Sequence, residues 1–409
     1  MTARRSGCAI FRSPPAAGRR ERGGDFDSSR TQIQISVKIS DRSERVVCLR
    51  WACLAALLAF SWVWGSVELR FGGNWTGLFC VGSQQKIPPN LRASLFVFRD
   101  STGYDGQFYY YIAHDPFMRE RYASYVDAPR LRYRRILVPA AAWALALGNS
   151  AAIKFTYLAV VLASVLAGAY WTGRFTKRPP WAIGFLLVPA TFISLDRMTV
   201  DATLVALTAG FSFYAGREPS WKLYAVLVLA TLTRETGFLL IAAFCVWLLW
   251  EGQWRRVATF ATAAVPSLLW ALFIQLHTHT DSIPAFTWIP LRSWTLAFLH
   301  PLHYYRVAPL PEWVLPALDR LELIGGLLAI AYAVKTGRGP VRIAAVLFGG
   351  LAAWHGLPGT WLDCFGYTRS FGPMFLLTAL DGKRTGAALT LPRTLVQLAG
   401  QLARAVFGW

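Results

Sequence analysis

Acidic residues are scarce in this chain. It carries 22 Asp and Glu against 42 Lys and Arg, a formal net charge of +20 over 409 residues. No nucleic-acid recognition motif accompanies that charge. It reads instead as basic loops retained on the cytoplasmic side and facing anionic lipid. Cysteine is sparse too. Cys8, Cys48, Cys53, Cys80, Cys245 and Cys364 show no C-x-x-C spacing, which argues against zinc and dithiol redox sites. There is no G-x-x-x-x-G-K loop, no G-x-G-x-x-G after a strand and no G-x-S-x-G elbow. ATP hydrolysis, hydride transfer and serine-hydrolase chemistry are therefore unsupported. The histidines give no ligand set. His277 and His279 flank Thr278, and His300 and His303 lie three apart near Trp294 and Tyr304, as interfacial residues do. Neither a metal nor another cofactor is expected.

Apolar residues are abundant. They make up 55% of the chain, with 18 Trp and a mean hydropathy of +0.37. Soluble domains average about 45–50% apolar. The apolar residues come in blocks near 46–67, 152–173, 181–195, 199–216, 221–233, 237–250, 256–276, 321–335, 341–357 and 369–381. Blocks approaching ~20 residues match a bilayer core of roughly 30 Å. The expected fold is an all-α, polytopic transmembrane protein with about ten spans. The pair 221–233 and 237–250 reads as two spans or as one long or broken helix.

With the N-terminus inside, the short inner connections hold Arg174, Lys177 and Arg178; Arg217 and Lys222; Arg255 and Arg256; Lys335, Arg338 and Arg342; Lys383 and Arg384. Each is basic, as the positive-inside rule requires. This divides the chain into a disordered basic cytoplasmic tail (1–45), a membrane domain (46–382) and a cytoplasmic amphipathic tail (383–409). Residues 68–151 form a long first extracytoplasmic loop, in which Ile136–Leu147 reads as an interfacial helix. The tail's apolar face comprises Leu395, Leu398, Ala399, Leu402 and Val406. Cys80 and Cys364 both fall outside, and are either paired or two free thiols.

Four polar clusters land on the outer face. They are Asp100 with Asp105 in R-D-S-T-G-Y-D-G-Q-F-Y; Asp196, Arg197 and Asp201; Arg234 with Glu235 in T-R-E-T-G; and Asp363 with Arg369 in D-C-F-G-Y-T-R-S-F-G-P. A span end allows a charge to reach water, which explains any one of them singly. Together they read as one pocket at the membrane surface. Asp105 is the candidate general base, since a carboxylate partly removed from water gains basicity; the bland alternative is a helix cap. Asp100 is the second candidate, or a partner of Arg99. Arg369, Arg234, Arg134 and Arg135, with Arg132, are candidate phosphate binders because the guanidinium is a planar, permanently charged fork. Headgroup contact is their alternative. Tyr104, Gln107 and Tyr109 are candidate sugar or acceptor contacts, and the loop tyrosines equally suit an aromatic belt.

The order of Y-D-G-Q-F-Y, R-Y-R-R-I-L-V-P-A-A-A-W-A-L-A-L-G, T-R-E-T-G-F-L-L and G-Y-T-R-S-F-G-P-M resembles the GT-C membrane glycosyltransferases, especially bacterial relatives of the GPI-type mannosyltransferases. The likeness runs from about Ser61 to Leu380. It implies an inverting hexosyltransferase that takes a sugar from a polyprenyl-phosphate donor to a cell-surface glycan, lipid or protein acceptor. It places the first-loop Asp, here Asp105, as base, and members of this group often need no metal. The implied location is the bacterial inner membrane, with both termini cytoplasmic and the active site outside. The rival expectations are a transporter or lipid-glycan flippase, with ionisable residues mid-span and repeated broken helices, and a non-catalytic scaffold of a glycan assembly complex.

Overall fold

The computed structural model describes residues 28–278, 286–302, 310–335, 339–361, 363 and 365–407. Contacts divide the chain into two units, Met1–Arg45 and Val46–Trp409. In the first, residues 28–45 are helical, where the sequence suggests a disordered tail. Neither Gly nor Pro occurs between Ser28 and Trp64. Once the apolar stretch has nucleated a helix, extending it needs no new nucleus.

The second unit is built almost wholly of helices. Among its described residues the one sheet is a parallel pair of short strands, Val81–Gly82 and Val97–Phe98. Three segments are long and apolar enough to cross a membrane: Arg42–Phe71, Ile153–Thr176 and Trp254–His277. Their outward side chains include Leu57, Trp64, Phe155, Leu269 and Leu276, all exposed. Continuous apolar exposure of this kind suits hydrocarbon and would be an aggregation hazard in water.

The other apolar blocks are helical as well. The stretch 181–195 comes in pieces, Trp181–Gly184, Phe185–Leu187 and Pro189–Arg197. Pro189 lacks an N–H and pushes Val188 to extended backbone, so the helix restarts there. The pair left open by the sequence is two helices, Trp221–Thr233 and Phe238–Trp250. Arg234 is extended between them, and Gly237 lies against the Ala230 carbonyl, so the chain folds back at once. The helix Asp201–Ala215 is buried along nearly its whole length. Its Val205 and Ala209 join one apolar core, and its Leu207 and Phe211 join the other.

The first loop folds into short helices. Asp105–His114 and Leu137–Leu145 are the longest, and the latter coincides with the expected interfacial segment.

The C-terminal segment departs from the sequence reading. Thr385–Phe407 is one helix packed along Val314–Lys335. Gly325 and Gly386 bring the two backbones together, and fully buried Arg393 pairs with Asp319. Of the expected apolar face, Leu398 is buried but Leu395 and Val406 are exposed, and Arg393 and Thr390 are buried against the neighbour. Small residues allow close approach, and a sequestered ion pair joins Leu398 in the buried face. The last turn reaches Arg70 and Gly103, at the end of the bundle that carries the first loop.

Gly237 tests the hairpin, because a Cβ there would overlap the Ala230 carbonyl oxygen. Gly237→Ala is expected to cost about 1–3 kcal/mol and lower the thermal midpoint in detergent. Gly216→Ala, which meets nothing within 4 Å, should leave it nearly unchanged.

Candidate functional site

The Y-D-G-Q segment sits where it does because glycines let backbones touch. Gly103 takes a φ of 73°, and its Cα faces the Cys80 carbonyl. Gly106 rests on the Arg197 carbonyl, which seats the Asp105–His114 helix on the end of Pro189–Arg197. Gln107 is buried and braces the loop. Its Oε1 accepts from the Gly82 N–H at 3.1 Å, and its Nε2 donates to the Thr102 carbonyl at 2.9 Å. Both ends of its amide are engaged, so Gln107 positions the loop and is poorly placed to read a sugar.

Asp105 opens its helix, where the positive end of the macrodipole favours a carboxylate. Its oxygens lie 2.8 Å from Arg132 Nη2 and 2.6 Å from Arg369 Nη1. Arg132 belongs to Pro129–Arg134, also meets Asp127 at 3.0 Å, and lies over the Phe108 ring at 5.2 Å. Arg369 comes from Gly366–Ser370 and extends Nε to Asp201 at 3.6 Å. Arg234 pairs with the same Asp201 and donates to Ser370 Oγ at 3.2 Å. Arg135 holds Glu235 at 3.1 Å and donates to the Tyr109 hydroxyl at 3.0 Å. Tyr104 donates to Asp363 Oδ2 at 2.5 Å, and its ring meets Arg197 and Arg369 at 4.7 and 5.0 Å.

Three of the four polar clusters thus meet around Asp105, while the first contributes only one of its two acids. Asp100 stands apart, exposed on a turn at φ 51°. Arg134 is also separate, with Nε buried and without a hydrogen bond. Arg369, Arg234, Arg135, Tyr104 and Tyr109 are all in the network. Asp201 and Asp363, visible in the sequence only as members of polar clusters, prove to be the carboxylates that order Arg234, Arg369 and Tyr104. Arg132 is the nearest cation but one to Asp105, and only its membership of R-L-R-Y-R-R signals it. Arg70, which pairs with Asp196, gives no signal beyond ending an apolar run.

The electrostatics differ from the expectation of a strengthened base. Burial alone would raise the Asp105 carboxyl, but Arg132 and Arg369 outweigh it and hold the group well below the usual carboxylate range. In this arrangement Asp105 is ionised and weakly basic. Arg369 Nη1 is committed to Asp105, but its Nε, 3.6 Å from Asp201, is buried without an aligned hydrogen bond, and so is Arg234 Nε. Buried guanidinium N–H groups of this kind suit a multivalent oxyanion.

No group of three His, Cys, Asp or Glu among the described residues is placed to hold a metal ion. His279, His303 and Cys364 lie outside the described residues, so the second histidine of each pair and the Cys80–Cys364 question do too. Cys80 itself is a buried free thiol. No family model, no curated protein and no solved structure matches the chain.

The Asp105 pair has a signed pH signature. Its depressed folded pKa means that its contribution to stability is fully present above the unfolded carboxyl value of about 3.9. That contribution drains away as pH falls below it. Thermal unfolding of wild type and Asp105→Asn should therefore differ by a constant amount from pH 7 to 5 and converge in more acidic buffer. A gap that instead widens on acidification contradicts the ion pair.

Proposed function

We propose that this protein is an inverting membrane glycosyltransferase of GT-C type, using a polyprenyl-phosphate sugar on its extracytoplasmic face. The observation that carries this reading is Asp105 held between Arg132 and Arg369, with the Nε groups of Arg369 and Arg234 buried nearby without an aligned hydrogen bond. A transferase of this kind needs a base for an acceptor hydroxyl and fixed cations for a departing phosphate, side by side.

The step is a single displacement. The acceptor O–H gives its proton to Asp105, its oxygen bonds to the sugar's anomeric carbon from the face opposite the phosphate, and the anomeric C–O bond breaks. The electron pair leaves on the polyprenyl phosphate, whose growing charge falls to Arg369, with Arg132 and Arg234 close by. The ion pairs of the unliganded site give the reaction an order. A donor phosphate competes with Asp105 for Arg369. Once that guanidinium turns toward phosphate, Asp105 loses a cation and regains basicity. Donor binding therefore readies the base.

Each expected apolar block coincides with helix, and the basic inner connections support about ten crossings with the first loop outside. The final helix returns toward that same face. Cysteines introduced at Asn90, Ser220 and Phe407 test this: an impermeant thiol reagent applied to intact cells should label positions 90 and 407 and spare 220. Labelling at 220 sinks the topology. Protection at 407 with labelling at 90 restores a cytoplasmic C-terminus.

The chemistry is tested with purified protein and a panel of polyprenyl-phosphate sugars. Asp105→Asn should lower turnover by at least about 10²-fold. Arg369→Lys keeps the charge but loses the fork, and should raise the apparent donor KM, with Arg369→Ala worse. Unfolding curves on the same samples separate loss of chemistry from loss of fold. Near-wild-type transfer by a folded Asp105→Asn protein would overturn the assignment.

A further inference from the structure

A cavity of about 410 Å³ opens beside the Asp105 site. Three arginines line it: Arg70 ends the first apolar helix, Arg197 ends Pro189–Arg197, and Arg404 lies in the last turn of Thr385–Phe407. Phe71 and Phe98 supply apolar wall, and Gly103 brings the cavity within two residues of Asp105. No carboxylate is among its described lining residues. Behind the lining, the single carboxylate of Asp196 is shared by Arg70 and Arg197. With Arg404 added, the wall keeps a positive excess. Gln401, also in the lining, has Oε1 buried without a hydrogen bond, an acceptor for a ligand hydroxyl. Tyr104 links this cavity to the catalytic pair, its ring meeting Arg197 of the cavity wall at 4.7 Å and Arg369 at 5.0 Å.

The donor phosphate is already provided for at Arg369, so a second cationic cavity next to the base calls for a different ligand. We propose that it holds the acceptor, and that the acceptor is an anionic, hydroxyl-bearing amphiphile whose phosphate lies among Arg70, Arg197 and Arg404. The word acceptor rests on the reading of Asp105 given above; the ligand chemistry rests on the cavity alone. Guanidiniums take the anion, Gln401 takes a hydroxyl, and the phenylalanines take the start of an apolar chain. The final helix then has a use: it closes one side of the acceptor site.

The test is equilibrium binding by the purified full-length chain, read by intrinsic tryptophan fluorescence, with lysophosphatidic acid as the probe. Inorganic phosphate and the zwitterionic lysophosphatidylcholine are the comparison arms. Lysophosphatidic acid should bind tightest. Arg404→Gln, at an exposed position in the last turn, should weaken it about tenfold, the loss of one charge-assisted contact. Arg256→Gln, exposed at the start of another helix, should not change it. Inorganic phosphate binding as tightly as the lipid overturns the amphiphile, and equal binding of the zwitterion overturns the anion site. Unchanged binding in Arg404→Gln removes the cavity from consideration. Because binding is read without transfer, near-wild-type turnover in Asp105→Asn with lipid binding intact overturns the transferase reading alone, whereas loss of turnover in that variant with no preferential lipid binding by the wild type overturns the cavity reading alone.

Discussion

A charge withdrawn from water must be met by another, and around Asp105 several of the partners lie far away in sequence. Asp105 in the first loop is met by Arg369 near the other end of the chain, Asp196 by Arg70, and Asp201 by Arg234. Each pair ties the end of one helix to the end of another. Removing one partner from such a pair typically costs about 3–5 kcal/mol, because the remaining charge stays buried and uncompensated. Among the described residues, the network around Asp105 therefore fixes how the helix ends come together at one end of the bundle. The same geometry serves the proposed chemistry. Glycosyl transfer from a phosphate needs cations already held near the departing group, and arginines ordered by Asp201, Glu235 and Asp127 are cations of that kind.

Much of this was legible in the residues. Apolar blocks became helices because a chain segment in hydrocarbon must satisfy its own backbone, and length and hydropathy are local properties. The polar clusters could be placed on one face because loop charge alternates along the chain. What the sequence hid was pairing. Asp100 and Asp105 share a motif and both carry a carboxylate, yet one is exposed on a turn and the other lies between two guanidiniums. Gln107 looked like a ligand contact beside tyrosines, but its amide matches two backbone groups of its own loop. Neither outcome is encoded in spacing, since each depends on where Gly82, Gly103 and Gly106 let other backbones approach.

The final helix shows a different limit. Periodicity alone puts Leu395, Leu398 and Val406 on a buried stripe. That inference assumes water on the other side. Against a neighbouring helix, small residues and a matched charge pair join Leu398 in the packing surface, and Leu395 and Val406 turn outward. Gly386 against Gly325 and Arg393 against Asp319 follow this rule. The same logic explains how a helix bearing Arg393 and Arg404 packs along Val314–Lys335. One arginine is neutralised within the bundle, and the other emerges at its end.

The last question is how Arg369 could serve both as a clamp on Asp105 and as a phosphate ligand. A guanidinium with a single partner would resist leaving it, because the abandoned carboxylate and the departing cation would both be exposed to a poor dielectric. Arg369 has a second carboxylate within reach, Asp201 at 3.6 Å, and Asp201 is itself tied to Arg234. Asp105 likewise keeps Arg132 when Arg369 turns away. Neither group is left uncompensated by the exchange. Under the proposed reaction the arrangement is thus a relay of shared charges, in which an incoming phosphate replaces one carboxylate around a cation and none of the buried ions has to pass through an unpaired state.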